Sequence, residues 1–435
     1  MKNKSRQFKP QAPLQQDQPW PSVTVQLPVY NEKYVVGRLI EAVMALDYPD
    51  EKLEVQILDD STDETTDLII KKIKEYKESK IVTQHFQRKD RKGYKAGALA
   101  CGLSKARGEF IAIFDADFIP RPDFLKRTIP CFNHEKTGMV QTRWGHLNRD
   151  FSLLTRIEAF ALDAHFTIEQ SGRNFSGGFM NFNGTAGVWR KQCIIDAGGW
   201  QDDTLTEDLD LSYRAQLKGW RFKYLEEVVS PAELPPVMSA IKSQQYRWSK
   251  GGAETARKML GRVLRSKQSV KIKWLATFHL LNTLVFPAVL FSSVCSVPLL
   301  AVPEVFPSWK PYFGWTAVFL FSFLIFGIFY YIVASQVWND KNKVARFASI
   351  FPVFLAISMG LSLHNSVAVT AGWLGKKSAF IRTPKFNLGT HSSVKDAAYL
   401  QHKINFVTWL EGLLSLYFVF GAGYALYVGN YSLLP

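Results

Sequence analysis

The sequence is poor in cysteine. Its 435 residues include four, Cys101, Cys131, Cys193 and Cys295, which are far apart and form no Cys-x-x-Cys pair. Such spacing fits neither a disulfide framework nor a cysteine zinc site, and it suits a reducing cytosol. The first 20 residues also lack the apolar core of a signal peptide. They are polar and rich in glutamine and proline, so we expect a disordered lead-in.

Nucleic-acid binding is a second class that the sequence disfavours. A formal net charge of +15 could attract nucleic acid, anionic lipid or a phosphorylated substrate. No RNA-binding or helix-turn-helix signature accompanies that charge. Long apolar stretches follow instead, and basic residues crowd the cytoplasmic loops of membrane proteins. We therefore expect a lipid bilayer as a partner and no nucleic acid.

The apolar stretches divide the chain in two. Residues 1–265 carry charges throughout and are typical of a soluble α/β protein. Four later stretches are rich in Phe, Leu and Val: 275–302, 312–337, 347–373 and 406–428. A membrane-spanning helix needs about 20 apolar residues, so the first, second and fourth qualify. The third is interrupted by polar residues that include Ser362, His364 and Asn365.

Loop charges predict how these stretches cross. The loop 338–346 contains three basic residues and 375–403 contains six, whereas 302–311 contains only Lys310. By the positive-inside tendency both basic loops lie in the cytosol. The stretch between them would then cross an even number of times or not at all, and we interpret it as an interfacial or re-entrant helix. Three full spans remain, which predicts a multi-pass protein of the plasma or inner membrane with a cytosolic domain before them.

The helical pattern at 238–265 carries seven basic residues. Basic amphipathic helices often lie in the membrane interface, and the apolar stretch that follows favours that location here. An ordinary solvated helix face is the alternative.

Short apolar runs alternate with helical patterns in the first part of the chain. Strands are predicted at 23–27, 55–58, 81–85 and 110–114, and helices at 34–46, 64–76, 95–106 and 151–169. Such alternation predicts a Rossmann-like, mostly parallel sheet wound by crossover helices. Ligands of these sheets bind beyond the carboxyl ends of the strands. Asp59 and Asp60 follow one strand and Asp115 and Asp117 another, which would place four carboxylates on one rim.

Asp115-Ala116-Asp117 is a candidate metal site. A hard divalent cation such as Mg²⁺ or Mn²⁺ can bind one or two carboxylates together with substrate phosphates. An isolated Asp-x-Asp is more often surface acid. Its position directly after a buried strand, with Asp59 and Asp60 on the same rim, favours the metal site here.

Two further motifs carry candidate chemistry. Thr206-Glu207-Asp208 lies in 202–210, where five acids fall within nine residues. A carboxylate near a metal and an acceptor hydroxyl can act as a general base, although an exposed, Thr-capped helix start is the alternative. In Gln244-x-x-Arg247-Trp248 the arginine suits phosphate and the tryptophan suits a sugar face, although such a pair also anchors proteins at interfaces.

The order of these motifs is more specific than any one of them. The chain contains, in sequence, Asp60 preceded by Asp59, then Asp115-x-Asp117, Thr206-Glu207-Asp208 and Gln244-x-x-Arg247-Trp248. This series resembles the D, DxD, TED, QxxRW signature of the processive family 2 glycosyltransferases. That family includes cellulose, chitin and hyaluronan synthases, plant mannan and glucan synthases, and the related ceramide glucosyltransferases. The resemblance covers residues 22–265 and extends into the membrane part.

The resemblance implies a domain division and a set of donor-site roles. A GT-A catalytic domain would occupy 21–236, interfacial helices 237–270 and a membrane domain 271–435. Asp59 or Asp60 would contact the nucleobase or ribose, and Lys95 would lie near the donor. The nucleotide and the metal, Mg²⁺ or Mn²⁺, would be held by Asp115 and Asp117.

It also implies where catalysis takes place. Glu207 and Asp208 would be the catalytic carboxylates, with Asp208 as the general base that deprotonates the acceptor hydroxyl. Gln244, Arg247 and Trp248 would bind the diphosphate and stack on the acceptor sugar.

Two loops complete the implied site. Asn183 and Gly184 belong to a segment that looks like the turn lining the acceptor end of the family's active site. Residues 380–385 look like the gating loop of the plant mannan and glucan synthases, which would bring Arg382 and Thr383 to the donor.

The resemblance thus implies an inverting, metal-dependent hexosyltransferase. Its donor would be a nucleotide sugar, UDP-glucose or GDP-mannose, and its product a β-linked polysaccharide made at the cytoplasmic face, with accessory export subunits as possible partners. A glycolipid synthase that glucosylates ceramide or diacylglycerol once is the alternative enzyme, and a non-catalytic membrane scaffold is the alternative outside enzymes. The chain departs from cellulose-synthase relatives in having only 20 polar residues before the catalytic domain, so we expect a truncated form or a shorter branch.

Overall fold

The computed structural model describes residues 19–309, 311–312, 318–339, 341–383, 385–387 and 406–429. The predicted lead-in and most of the loop 375–403 therefore lie outside the described residues.

Seven strands form one sheet within the described residues, in the order β3-β2-β1-β4-β6-β5-β7. They are β1 Val23–Val29, β2 Leu53–Asp59, β3 Val82–Gln87, β4 Phe110–Ile113, β5 Thr137–His146, β6 Gly187–Arg190 and β7 Arg221–Ala232. Neighbouring strands run parallel except at β6, which is antiparallel to both β4 and β5. The mostly parallel α/β fold is confirmed. The four predicted strands are β1 to β4, and the sequence did not predict the last three.

Helices cover both faces of this sheet. They are α1 Val36–Met44, α2 Thr65–Glu75, α3 Tyr94–Lys105, α4 Phe124–Thr128, α5 Leu153–Ala164, α6 Ser171–Ser176, α7 Lys191–Asp196 and α8 Glu207–Leu217. Every residue of β2 is buried, as expected of a strand covered by helices on both sides. One apolar core packs α1 and α4 on the sheet, and a second packs α3, α7 and α8 on the opposite face. The helix predicted at 151–169 is α5 continued by a π-helical segment, His165–Gln170.

A 28-residue helix, α9 Met238–Arg265, joins this domain to the rest of the chain and has the predicted bounds. Its middle, from Ser249 to Ala256, is buried and rich in small residues. The small residues let neighbouring segments approach this helix closely. A Cβ at Gly251 of the helix would lie 2.5 Å from Cγ2 of Thr206. On a neighbouring segment, a Cβ at Gly372 would lie 2.6 Å from the carbonyl oxygen of Lys250. The helix thus packs between the α/β domain and the C-terminal helices. Its predicted location at a membrane interface stays a prediction.

The C-terminal helices are α10 Val270–Leu281, α11 Val285–Val305, α12 Val318–Val337, α13 Lys343–Gly360, α14 Ser362–Trp373 and α15 Phe406–Tyr427. Among the described residues, three helices are long and apolar enough to cross a membrane: Val270–Val305, Lys343–Gly360 and Phe406–Tyr427. Phe321–Val337 is a shorter apolar helix.

The stretch predicted to be interfacial or re-entrant forms two helices, α13 and α14, that meet at Leu361. By length and composition α13 is itself a candidate span, so its path stays a prediction. The α/β domain contacts this region through α5, where the ring of Phe160 lies 5.7 Å from Trp338 and 5.3 Å from Phe354, centroid to centroid.

Candidate functional site

A cavity opens at the carboxyl ends of β1, β2 and β4, where the alternation of strands and helices predicted it. Thirteen of the fourteen predicted site residues line it: Asp60, Lys95, Asp115, Asp117, Asn183, Gly184, Glu207, Asp208, Gln244, Arg247, Trp248, Arg382 and Thr383. The fourteenth, Asp59, does not line this cavity.

The two neighbouring aspartates at the end of β2 face different surroundings. Asp59 is fully buried and accepts hydrogen bonds from Ser61 N and Thr66 Oγ1, both 2.8 Å long, with His85 Nε2 at 3.0 Å. Burial alone would raise the pKa of Asp59, but these hydrogen bonds lower it. Asp60 lines the cavity, and its two carboxylate oxygens accept hydrogen bonds from Nε and Nη2 of Arg88. Asp59 therefore braces the strand end, and Asp60 is the one available to a ligand.

Asp115 follows β4 and is anchored from two directions. Its backbone N–H donates to Thr185 Oγ1 at 2.9 Å, and its Oδ1 accepts from Lys95 Nζ at 2.5 Å. The same ammonium donates to the carbonyl oxygen of Gly184 at 3.0 Å. Burial would lower the pKa of Lys95, but Asp115 and Glu207 raise it, so the side chain stays protonated. Lys95 thus joins Asp115 of the Asp-x-Asp motif to the turn around Gly184.

The turn around Gly184 requires a residue without a side chain. Gly184 has φ +84°, and a Cβ there would lie 3.0 Å from Oδ2 of Asp208. Asn183 beside it is fixed by Gln170, whose Nε2 donates to Asn183 Oδ1 at 2.5 Å, and by His165 Nε2 at 2.9 Å from its Nδ2. The backbone of this turn therefore packs directly against the carboxylate of Asp208.

Glu207 and Asp208 begin α8 but are not the exposed helix start that the sequence allowed. Glu207 is buried, Asp208 is half-buried, and Thr206 makes no side-chain cap. Asp208 Oδ1 accepts a hydrogen bond from Leu209 N at 2.8 Å. Burial, reinforced by the neighbouring charge of Glu207, raises the pKa of Asp208 to about 7. Burial likewise raises the pKa of Glu207. A carboxyl group with a pKa near neutrality is suited to accept a proton.

The segment after α14 lies across the mouth of the cavity. Arg247 of α9 donates to Thr383 Oγ1 at 2.7 Å, and its guanidinium carbon lies 4.7 Å from the ring centroid of Phe380. Arg382 forms an ion pair of 2.6 Å with Glu32, which follows β1. Lys385 Nζ donates to Asp117 Oδ2 at 2.7 Å. Four contacts thus hold residues 380–383 and 385, part of the segment that resembles a gating loop, against the cavity.

Sequence reasoning missed several residues that line the cavity. Trp144 and His146 lie at the end of β5, a strand that was not predicted. Glu32 has a weak signal in the sequence, since it follows the strand-ending Val29 as Asp60 follows β2. Burial raises the pKa of Glu32 to about 7, against the opposing charge of Arg382. Lys385 also lines the cavity but was not missed, because the loop motif 380–385 contains it.

The acidic side chains fit a divalent cation that shares its ligands with a substrate. In the described part of the chain no three His, Cys, Asp or Glu side chains are grouped to hold a metal. Asp115 and Asp117 both point into the cavity, and two carboxylates completed by substrate phosphates are a usual Mg²⁺ arrangement. The donor set therefore fits a cation that binds together with the nucleotide.

Comparisons with known proteins identify the family of this chain. The family model described as glycosyltransferase like family 2 matches residues 21–251. The chain is 37% identical over 401 residues to glucomannan 4-beta-mannosyltransferase 1 of Oryza sativa subsp. japonica, covering 89% of this chain and 73% of that protein. It is 38% identical over 348 residues to glucomannan 4-beta-mannosyltransferase 2 of Arabidopsis thaliana, covering 76% and 65%. The chain belongs to glycosyltransferase family 2, within its processive, cellulose synthase-like members.

A solved structure supports the fold. The mannosyltransferase PcManGT from Pyrobaculum calidifontis, in complex with GDP-Man and Mn²⁺, superposes with a TM-score of 0.53 at 18% identity, covering 83% of this chain and 92% of that one. The α/β domain therefore has the GT-A fold. The match to a further relative, a probable glucomannan 4-beta-mannosyltransferase 4 of Oryza sativa subsp. japonica, spans 56% of that protein's length.

Proposed function

We propose that this protein is an inverting, metal-dependent hexosyltransferase that moves mannose from GDP-mannose to a growing β-linked polysaccharide. The observation that carries the proposal is one cavity lined by Asp208, the Asp115/Asp117 pair and Arg247, with Arg247 hydrogen-bonded to Thr383 of the loop. The relatives named as glucomannan 4-beta-mannosyltransferases and the fold neighbour in complex with GDP-Man favour mannose and guanosine diphosphate over other donors.

Asp208 is the residue that takes the proton. Its pKa of about 7 leaves a substantial ionised fraction at neutral pH, and the ionised form accepts the proton of the acceptor hydroxyl. The hydroxyl oxygen then attacks the anomeric carbon as the bond to the diphosphate breaks. A single displacement inverts that carbon, so an α-linked donor gives a β-linked product.

Cationic side chains stabilise the leaving diphosphate. Arg247 lines the same cavity as Asp115 and offers a planar fork of donors to phosphate oxygens. Lys95 stays protonated beside Asp115 and adds positive charge at the same end. A divalent cation held by Asp115 and Asp117 would supply further charge to the diphosphate.

The loop 380–385 closes over the reacting sugar in this account. Arg382, Thr383 and Lys385 each contact a residue of the catalytic cavity. A seated loop excludes water, which would otherwise hydrolyse the activated donor.

A second cavity favours a sugar chain over a lipid as the acceptor. It shares Trp144, Asn183, Asp208 and Trp248 with the first and continues to α10 and α11. Its wall carries apolar side chains, such as Leu280 and Phe286, beside polar ones: Glu158, His165, Arg173, Asn181 and Gln245. Hydroxyl-rich sugars can hydrogen-bond such a wall, whereas an acyl chain would leave it unsatisfied. This observation counts against the glycolipid alternative.

Contacts at both ends of the α13–α14 segment support its return to the side of the membrane on which the catalytic domain lies. Arg346 at the start of α13 lies 3.4 Å from Asp150, and Arg382 beyond α14 pairs with Glu32. Both basic loops thus touch the catalytic domain. A segment that leaves and returns to one side of the bilayer crosses it an even number of times or not at all, as the positive-inside tendency predicts.

Radiolabelled transfer tests the proposal. Membranes that contain the protein are incubated with GDP-[¹⁴C]mannose or UDP-[¹⁴C]glucose, and label is counted in ethanol-insoluble polymer and in the lipid extract. We expect mannose in the polymer, and a fall of roughly 10²–10⁴-fold for Asp208→Asn with GDP binding retained. The exposed Asp202 of the same acidic run supplies the control variant Asp202→Asn. Label confined to lipid, or full activity of Asp208→Asn, would refute the proposal.

A further inference from the structure

Two cations of the cavity, Arg91 and Arg247, form no ion pair among the described residues, and of the two only Arg247 makes a side-chain hydrogen bond there, to Thr383. Lys95 pairs with Asp115, Arg382 with Glu32 and Lys385 with Asp117. No hydrogen bond or ion pair holds the Arg91 side chain within the described chain, and its Nε is buried without a partner there. A buried, unsatisfied guanidinium nitrogen costs free energy, so its presence at a ligand cavity points to a ligand.

Aromatic rings hold this guanidinium in place. Its central carbon lies 3.3 Å from the ring centroid of Tyr30, 5.0 Å from that of Tyr94 and 5.9 Å from that of Phe380. The planar guanidinium is therefore stacked on the ring of Tyr30, and its N–H groups point outward in the plane of the guanidinium, where a ligand can accept from them.

The turn that carries Arg91 is also rigid. Arg88 bridges it to the sheet, because the Arg88 guanidinium binds Asp60 and donates to the carbonyl oxygens of Lys92 and Tyr94, both at 2.9 Å. Tyr94 N donates to the carbonyl oxygen of Arg91 at 3.0 Å. A ligand that binds Arg91 thus meets a group that is already positioned.

The sheet order separates the turn that carries Arg91 from the strand end that carries Asp115 and Asp117. The strands run β3-β2-β1-β4, with Arg91 after β3 and Asp60 after β2, whereas Asp115 and Asp117 follow β4. A nucleoside diphosphate whose phosphates lie at the Asp115 end extends its nucleoside along the rim toward Asp60 and Arg91. The geometry points to Arg91 as the residue that binds the nucleobase. A base with two adjacent hydrogen-bond acceptors would match the donors of the guanidinium.

Guanine is such a base. Its O6 and N7 accept two hydrogen bonds from one arginine fork, whereas adenine offers a donor beside N7 and uracil has no N7. We therefore propose that Arg91, stacked on Tyr30, gives the site its preference for a guanosine diphosphate donor. This inference rests on the proposed function, since it concerns the donor of the same reaction.

Nucleotide binding to the purified full chain tests the proposal without any transfer. Calorimetry is performed with GDP, 7-deaza-GDP, which lacks the N7 acceptor, and UDP. The wild-type protein should bind GDP about 10-fold more tightly than either of the others. In Arg91→Met that preference should disappear, because GDP binding weakens about 10-fold and the other two change little. Arg91→Lys keeps the charge without the fork, and it should lose the same preference.

The neighbouring Lys92 gives a matched control, because Lys92→Met removes one positive charge from an exposed side chain. It should leave all three affinities unchanged. If Arg91→Met weakened all three nucleotides equally, Arg91 would contact phosphate and the proposal would be overturned. Unchanged GDP binding in Arg91→Met, or a wild-type preference for UDP, would also overturn it. A wild-type protein that binds no nucleoside diphosphate would refute the proposed function itself.

Discussion

Lys385 Nζ lies 2.7 Å from Asp117 Oδ2, although the two residues are 268 positions apart. Both side chains are largely buried, and the lysine also reaches the carbonyl oxygen of Glu233 at 3.4 Å. In the proposed function Asp117 is a ligand of a divalent cation. The ammonium of the loop and the cation would therefore compete for the same carboxylate, which couples loop position to metal binding.

Removal of the Lys385 charge should strengthen metal binding for this reason. We expect Lys385→Met to bind Mn²⁺ at a several-fold lower free concentration than the wild-type protein, measured by electron paramagnetic resonance in the absence of nucleotide. Lys377→Met, which removes an exposed charge near the start of the same loop, should leave the affinity unchanged. Equal or weaker Mn²⁺ binding in Lys385→Met would show that the ion pair does not compete with the metal.

The pH dependence of the reaction should follow the ionisation of Asp208. Burial and Glu207 raise the pKa of Asp208 to about 7, so the protonated, inactive form dominates below that pH. We expect kcat/KM to fall about tenfold per pH unit on the acid side. The same shift acts on stability: the contribution of Asp208 is fully present below its ordinary pKa and is lost as pH rises through about 7. Asp208→Asn should therefore gain thermal stability relative to wild type at pH 8 but not at pH 4. A flat acid limb down to pH 5 would contradict the assignment.

Gly184 should be essential for activity through its contact with Asp208. An alanine there adopts a strained φ of +84° and places Cβ 3.0 Å from the carboxylate and 3.4 Å from Lys95 Nζ. Gly219 has φ +86° and nothing within 4 Å of a Cβ, so Gly219→Ala reproduces the strain without the contact. Both variants should lose about 1–2 kcal/mol of stability. Only Gly184→Ala should lose most of its transfer activity, and equal activity in the two would remove the positioning role of the turn.

The variant Lys377→Cys, made in a chain without other cysteines, tests the membrane topology. This side chain is exposed beside the segment that covers the cavity. With the four native cysteines replaced, an impermeant thiol reagent should label it only after the cytosolic face is opened. Labelling from outside intact cells would contradict both the cytosolic loop and the return of α13 and α14 to the same side.

The sequence predicted the first half of the sheet because β1, β2 and β4 are short apolar runs that alternate with helices. It did not predict β5 and β7, in which charged residues interrupt the apolar pattern, or β6, which has four residues. These strands depend on long-range pairing: the backbone N–H of buried Thr142 in β5, for example, donates to the carbonyl oxygen of Ala186 at 3.1 Å. Such pairing leaves no local signal.

The site shows the same division. Motifs of adjacent residues, such as Asp115-x-Asp117, could be located from the sequence because strand ends carry them to one rim. The partners of those motifs could not. Glu32 and Arg382 form an ion pair across 350 positions, and the Arg91 side chain makes no hydrogen bond or ion pair among the described residues. Which cation pairs with which carboxylate is decided by tertiary packing.

The central claim, inverting transfer of mannose to a polysaccharide, is tested most directly by the anomeric configuration of the product. Membranes are supplied with GDP-α-mannose, and the polymer is analysed by nuclear magnetic resonance and by digestion with an endo-β-1,4-mannanase. We predict β-linked mannose that the enzyme releases as oligosaccharides, and none from membranes that carry Asp208→Asn. An α-linked product, or mannose found only on lipid, would contradict the account.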